Sequence, residues 1–148
     1  MKIKVIIVGS SPKHSYALKG MEEYLKRLKR YTKLTMVNVK DGKDSDVLQR
    51  ILEASADHYK VVLDERGKLL TTGDFASKLS GWIDDPGIKN ISLIIGASDG
   101  HSQSLRDKAD FLLSLSSLTM MHELALVVLL EQVYRAFTIR NGEPYHRG

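Results

Sequence analysis

The sequence predicts a single α/β domain built on a parallel sheet, and three observations carry that prediction. Short apolar runs alternate with amphipathic stretches along the whole chain. The runs are apolar at consecutive positions, as strands covered on both faces require. Most are followed by a stretch of helical periodicity, the order that βαβ units impose. With 148 residues, 43% of them hydrophobic and 27% charged, the chain fits one domain that buries a core without staples. It has no cysteine, which excludes disulfides and thiolate metal sites.

Taken in order, "IKVIIVG" reads as a first buried strand. Its apolar run is too short for a signal peptide or a membrane span, so a cytoplasmic protein without a membrane partner is expected. "SYALKGMEEYLKRLKRY" places Tyr16, Met21, Tyr24, Leu25 and Leu28 near helical spacing. "KLTMVNV" alternates as a strand does. "DGKDSD" supplies turn and helix-start residues, and "DVLQRILEA" is then a short helix with Val47, Leu48, Ile51 and Leu52 on one side. "YKVVLDERGK" is a third strand that runs into a polar loop containing Gly67. "TTGDFASKLSGWI" is a helix starting at Thr72 or Asp74, with Phe75, Leu79 and Trp82 inward, and "DDPG" is a turn. "ISLIIGASDGH" is the fourth and most apolar strand, opening into a loop with Gly96 and Gly100. "SQSLRDKADFLL" reads as a helix capped by Ser102, and "LSLSSLTM" as a fifth strand or extended segment. "HELALVVLLEQVYRAFTIR" is a long last helix, stopped by Asn141, Gly142 and Pro144. Being apolar on more than one face, it belongs either in a homodimer interface or at the centre of one subunit.

A formal net charge of +4 favours a polyanionic partner. In an open parallel sheet ligands collect beyond the carboxyl ends of the strands. "VGSSPKH", "LDERGK" and "IGASDGH" occupy such places, and none matches a P-loop or dinucleotide fingerprint. Gly96 and Gly100 bracket either a close backbone approach to a ligand or an ordinary turn, with His101 beside them expected to be exposed. In "LSLSSLTMMHE" serines interleave with leucines. Such a stretch either lines a pocket for a neutral purine with amides and hydroxyls, or forms a strand with one polar face. His122 opens the last helix, where an imidazole accepts a proton or merely sits at the surface. The five histidines are scattered, without the spacing of a metal site. The ending "YHRG" sets an aromatic ring, an imidazole and a guanidinium together at a terminus, where chains ordinarily fray.

"IIGASDG", "LSLSSLTMMH" and "LLEQVYRAFTIRNGEPYHRG", in this order, resemble the consecutive signatures of the ribosomal RNA large-subunit methyltransferase H family of the SPOUT superfamily. The similarity extends from "KIKVIIVG" to the final "YHRG". It implies a SPOUT fold with a C-terminal trefoil knot, a homodimer, and S-adenosylmethionine as methyl donor. It implies as substrate a pseudouridine of large-subunit ribosomal RNA in assembled ribosomes, methylated at N3. Carried over by position, the donor would touch Leu63, Gly96, Leu115, Ser116, Ser117, Leu118, Thr119 and Met120. His122, His146 and Arg147 would be catalytic, and Tyr134, Arg135 and Tyr145 would hold RNA. Where the family has glycine, proline and arginine, this chain has Ala97, Met121 and Leu126. Met121 is expected to remove a rigid turn and Leu126 a charge near the pocket. These departures leave room for a catalytically inactive ribosome-binding or RNA-binding module.

The imide nitrogen of a uracil-like base must lose its proton before it attacks a methyl group. His122 or His146 is expected to take that proton, with Arg147 or Arg135 steadying the anion or a phosphate. The tail is expected to form an arm that reaches the donor pocket of a neighbouring subunit.

Overall fold

Strands and helices alternate strictly: β1 (Lys2–Val8), α1 (Ser15–Leu28), β2 (Lys33–Val39), α2 (Asp44–Ala54), β3 (Tyr59–Leu69), α3 (Thr72–Asp84), β4 (Asn90–Ile95), α4 (Gln103–Lys108), β5 (Phe111–Ser114) and α5 (His122–Arg140). The computed structural model describes residues 1–96 and 100–148. All strand pairs are parallel, in the order β2-β1-β4-β3-β5. The strand–helix alternation anticipated from the apolar runs therefore closes into one α/β sheet with helices on both faces.

The pleat divides β1 between two cores. Ile3, Val5 and Ile7 point to the face covered by α1, α3 and α5, while Ile6 and Val8 point to the face covered by α2 and α4. Ile3, Ile6, Ile91, Leu93 and Ile94 are completely buried. Each such side chain contributes roughly 1.5–3 kcal/mol of apolar burial. The larger core takes in Leu126, Leu129, Leu130, Val133, Ala136 and Phe137 of α5, which lies against both α1 and α3. One side of the apolar helix thus belongs to this subunit's own core, while Leu124 on another side is exposed. Among the described residues, no helix is long and apolar enough to cross a membrane.

Three local expectations are corrected. The "polar loop" after the third strand is part of β3. Val61, Val62 and Leu63 pair with Phe111, Leu112 and Leu113, and Lys68 and Leu69 then pair with Leu113 and Ser114, so residues 64–67 bulge out of register. A Cβ on Gly67 would stand 2.6 Å from the Leu112 carbonyl carbon, so only glycine lets the two strands meet there. Helix α3 begins at Thr72 as expected, behind a Thr71 hydroxyl that accepts from the Asp74 amide at 3.1 Å. The helix capped by Ser102, however, ends at Lys108, and Phe111, Leu112 and Leu113, expected within it, belong to β5. Leu126 is 1% exposed inside the larger core, so its departure from the family pattern alters the interior and not the charge of a pocket.

Candidate functional site

A cleft of about 480 Å³ opens at the carboxyl ends of β3, β4 and β5, bounded on one side by the start of α5. That size suits a nucleoside-sized ligand. Its floor is apolar, from Leu63, Ile95, Leu113 and Ala125. Ser114, Ser116 and Thr119 bring hydroxyls, and Asp64, Glu65 and Arg66 of the β3 bulge form a charged rim. Leu63, Gly96, Leu115, Ser116, Leu118, Thr119, Met120 and His122 all line it; Ser117 does not.

Residues 115–121 turn where β5 ends. The Ser114 hydroxyl donates to the Ser116 carbonyl at 3.0 Å, and the Ser116 hydroxyl accepts from the Leu118 amide at 2.9 Å. Among the described residues, the amides of Thr119 and Met120 donate to no backbone carbonyl. A wall with free amides above an apolar floor is what the interleaved serines and leucines can supply.

The opposite wall was misjudged from sequence. His101 is half-buried, and its ring fills the space above Gly96, where a Cβ would stand 2.8 Å from the ring. The close approach that Gly96 permits is therefore to His101. Burial pushes the His101 ring pKa down against the pull of Asp64, so the ring stays neutral, and its buried Nε2 has no partner among the described residues. An ion pair fixes this wall: Arg106 Nε donates to Asp64 at 2.8 Å, and another Arg106 nitrogen donates to the His101 carbonyl at 2.7 Å. The Asp64 side chain is 4% exposed. Burial opposes its charge most, but the Arg66 amide and the Arg106 guanidinium hold the carboxyl below its usual range. Asp64 and Arg106 give no local sequence signal, because 42 positions separate them. Ala97 lies outside the described residues.

His122 is the first residue of α5, and its neighbour Glu123 was also missed. The Glu123 carboxylate is buried and accepts from the Lys13 and His14 amides at 2.9 and 3.1 Å and meets the His14 ring at 3.0 Å. The His14 amide, first among these contacts, holds the carboxyl below its usual range. The loop after β1 is thereby tied to the start of α5. Met121, just before His122, has φ −63°, the value a proline ring imposes, so the turn persists without proline.

Tyr134, Arg135, Tyr145, His146 and Arg147 do not line the cleft. The tail folds back on the far end of α5. Tyr145 meets Tyr134 edge-on at 4.8 Å between centroids and donates its hydroxyl to Glu131 at 3.2 Å. Arg135 sits over the Tyr145 ring, bonds Glu131 at 2.9 Å and donates to His146 Nδ1 at 3.0 Å. Burial, with Tyr24 and Glu131 nearby, pushes the Tyr145 hydroxyl up to about 12, so it remains a donor. Arg147 is exposed. The expected reaching arm is, in this subunit, a docked one. From His122 to Arg135 the helix rises roughly 20 Å at 1.5 Å per residue, so one chain keeps its two groups of candidates apart.

No cluster of three or more potential metal ligands occurs among the described residues. The family model described as "Predicted SPOUT methyltransferase" matches residues 1–146. The chain is 44% identical over 147 residues to ribosomal RNA large subunit methyltransferase H of Thermus thermophilus, covering 99% of each. It is 41% identical over 151 residues to the protein of that name from Deinococcus radiodurans, covering 100% of each. In fold it is similar to a probable methylase family protein from Haemophilus influenzae (TM-score 0.62, 14% identity, 99% of this chain and 70% of that one). It is also similar to a tRNA methyltransferase from Aquifex aeolicus (TM-score 0.60, 14% identity, 100% and 76%). With the cleft at the strand ends and a family match over nearly its whole length, the chain belongs to the SPOUT methyltransferases, in the ribosomal RNA large subunit methyltransferase H family.

Proposed function

We propose that this protein methylates N3 of a pseudouridine in large-subunit ribosomal RNA of assembled ribosomes, with S-adenosylmethionine as donor. The observation that carries this reading is the cleft. Seven of the eight donor positions implied by the family line it together with His122, in a chain 44% identical to a named ribosomal RNA methyltransferase. The donor fits what is present: an apolar floor for a purine, and the Thr119 and Met120 amides for its edge. We read the enzyme as cytoplasmic and as one domain over residues 1–148, its C-terminal half threaded as the family's trefoil knot.

When bound, the donor supplies an electrophilic methyl group on a sulfonium. The chain must then align the acceptor nitrogen, keep water out, and remove the imide proton. His122 is the candidate base at the cleft. Docked His146 is not available for that task. A guanidinium only donates, so His146 Nδ1 must accept from Arg135, and a neutral ring then carries its hydrogen on Nε2. Once released, the tail would offer His146 as a second base, with Arg135 or Arg147 steadying the imide anion and Tyr134 and Tyr145 packing the RNA.

A second copy of the chain would complete the site. Tyr16, Leu18, Leu118, Met121 and Leu124 are exposed large apolar side chains, and the Tyr16 hydroxyl donates to the Met121 sulfur at 3.1 Å. Leu118 and Met121 also line the cleft, so a homodimer formed here would bring a partner's tail to its mouth. The deciding experiment is transfer of labelled methyl from the donor to ribosomes lacking the modification, followed by mapping of the modified base. Donor binding without transfer to any ribosomal RNA would overturn the reading.

A further inference from the structure

The positive charge of this molecule is not spread over it. Residues 19–33 carry six Lys and Arg against two Glu, a surplus of four that equals the net charge of the whole chain. The remaining sixteen basic and sixteen acidic residues cancel. Lys19, Lys26, Arg27, Lys29, Arg30 and Lys33 are all exposed. Their spacing continues one solvent face of α1 through the turn into β2. Among the described residues, the four lysines make no ion pair, while Arg27 pairs with Glu23 and Arg30 with Glu143.

Tyrosines hold this face against the tail. Arg27 lies 5.3 and 5.5 Å from the ring centroids of Tyr24 and Tyr134, and Arg30 lies 4.9 Å from that of Tyr31. Tyr31 donates to Glu143 at 2.6 Å, just before the tail, and Tyr134 contacts Tyr145. The guanidiniums occupy ring faces on which bases would otherwise stack, so the face presents charge and not stacking surfaces. A polyanion with regularly spaced charges matches that chemistry; an acidic protein would meet it without such spacing.

We propose that the outer face of α1 is a sequence-independent phosphate-binding surface, on which the RNA backbone runs beside the docked tail. This rests on the reading of an RNA substrate. The test uses the full-length protein and the variant Lys26→Ala/Lys29→Ala/Lys33→Ala. Binding is measured to unmodified large ribosomal subunits and to protein-free large-subunit RNA over a salt series. The variant should bind both about tenfold more weakly near about 100 mM salt, with a log–log salt slope shallower by about 2 to 3. Its affinity for S-adenosylmethionine and its melting temperature should match the wild type, because no residue from 19 to 33 lines the cleft. Wild-type affinity and slope in the variant would overturn the assignment while leaving the methyltransferase reading intact. Weakened binding to subunits alone, with RNA binding unchanged, would overturn it in favour of a ribosomal protein. Absence of wild-type binding to either probe would overturn the RNA reading itself, and this surface with it.

Discussion

The two ends of α5 have the same parent helix and opposite states. At the amino end, His122 lines an open cleft whose Thr119 and Met120 amides have no backbone partner among the described residues. At the carboxyl end, Arg135, Tyr145 and His146 satisfy one another through Glu131. One end awaits a ligand and the other has already bound part of its own chain. Under the proposed function, the difference separates the holding of a donor, assigned to the cleft of one subunit, from the delivery of an acceptor, assigned to a tail from elsewhere or a tail that lets go.

Removing residues 145–148 should break this comparison most severely. Methyl transfer to ribosomes should fall at least about a hundredfold while donor affinity by calorimetry holds, because no tail residue lines the cleft. Loss of donor binding as well would mean the two ends are not separable. His122→Ala should lower the transfer rate by about a hundredfold or more, the range of general-base removal. If His122→Ala and His146→Ala both transfer at the wild-type rate in single-turnover assays, neither takes the proton. Asp64→Asn leaves Arg106 without its charge partner and should cost about 3 kcal/mol in chemical denaturation, together with weaker donor binding. Undiminished donor affinity would show that the His101 wall does not shape the cleft.

Titration should affect the ends from opposite sides, with the smallest amplitude. The Glu123 carboxyl is held below its ordinary 4.5, so its contribution is present above that value and is lost as pH falls through the folded value. Tyr145 and Tyr31 are raised from 10 to about 12, so their contribution is present below 10 and is lost as pH climbs toward 12. Melting temperatures measured across pH should decline on both limbs. Glu123→Gln should flatten only the acid limb, and Tyr145→Phe only the alkaline one.

The sheet was legible because strands buried on both faces are apolar at consecutive positions, as "VIIV" and "LII" are. The cleft was legible because free amides and hydroxyls over leucines leave a pattern in "LSLSSLTM". What escaped depends on residues distant in sequence. Nothing near Glu123 announces that it accepts from amides 110 and 109 positions earlier. The polar string "DERG" looked like a loop because β3 keeps only one neighbour there, β5, and bulges against it. His101 looked exposed because its burial depends on the missing side chain of Gly96. The tail looked like a free arm because its partner, Glu131, lies on the last helix, 14 positions before Tyr145.

The strand order also sets when this protein can exist during its own synthesis. β1 is flanked in the sheet by β4, about ninety positions later in the chain. The larger core then needs α5, which begins only at His122. A nascent chain therefore cannot close its principal core until α5 has been made. Its early strands must wait, solvated or chaperoned, for partners not yet polymerised, and slow non-local closure is the expected folding regime.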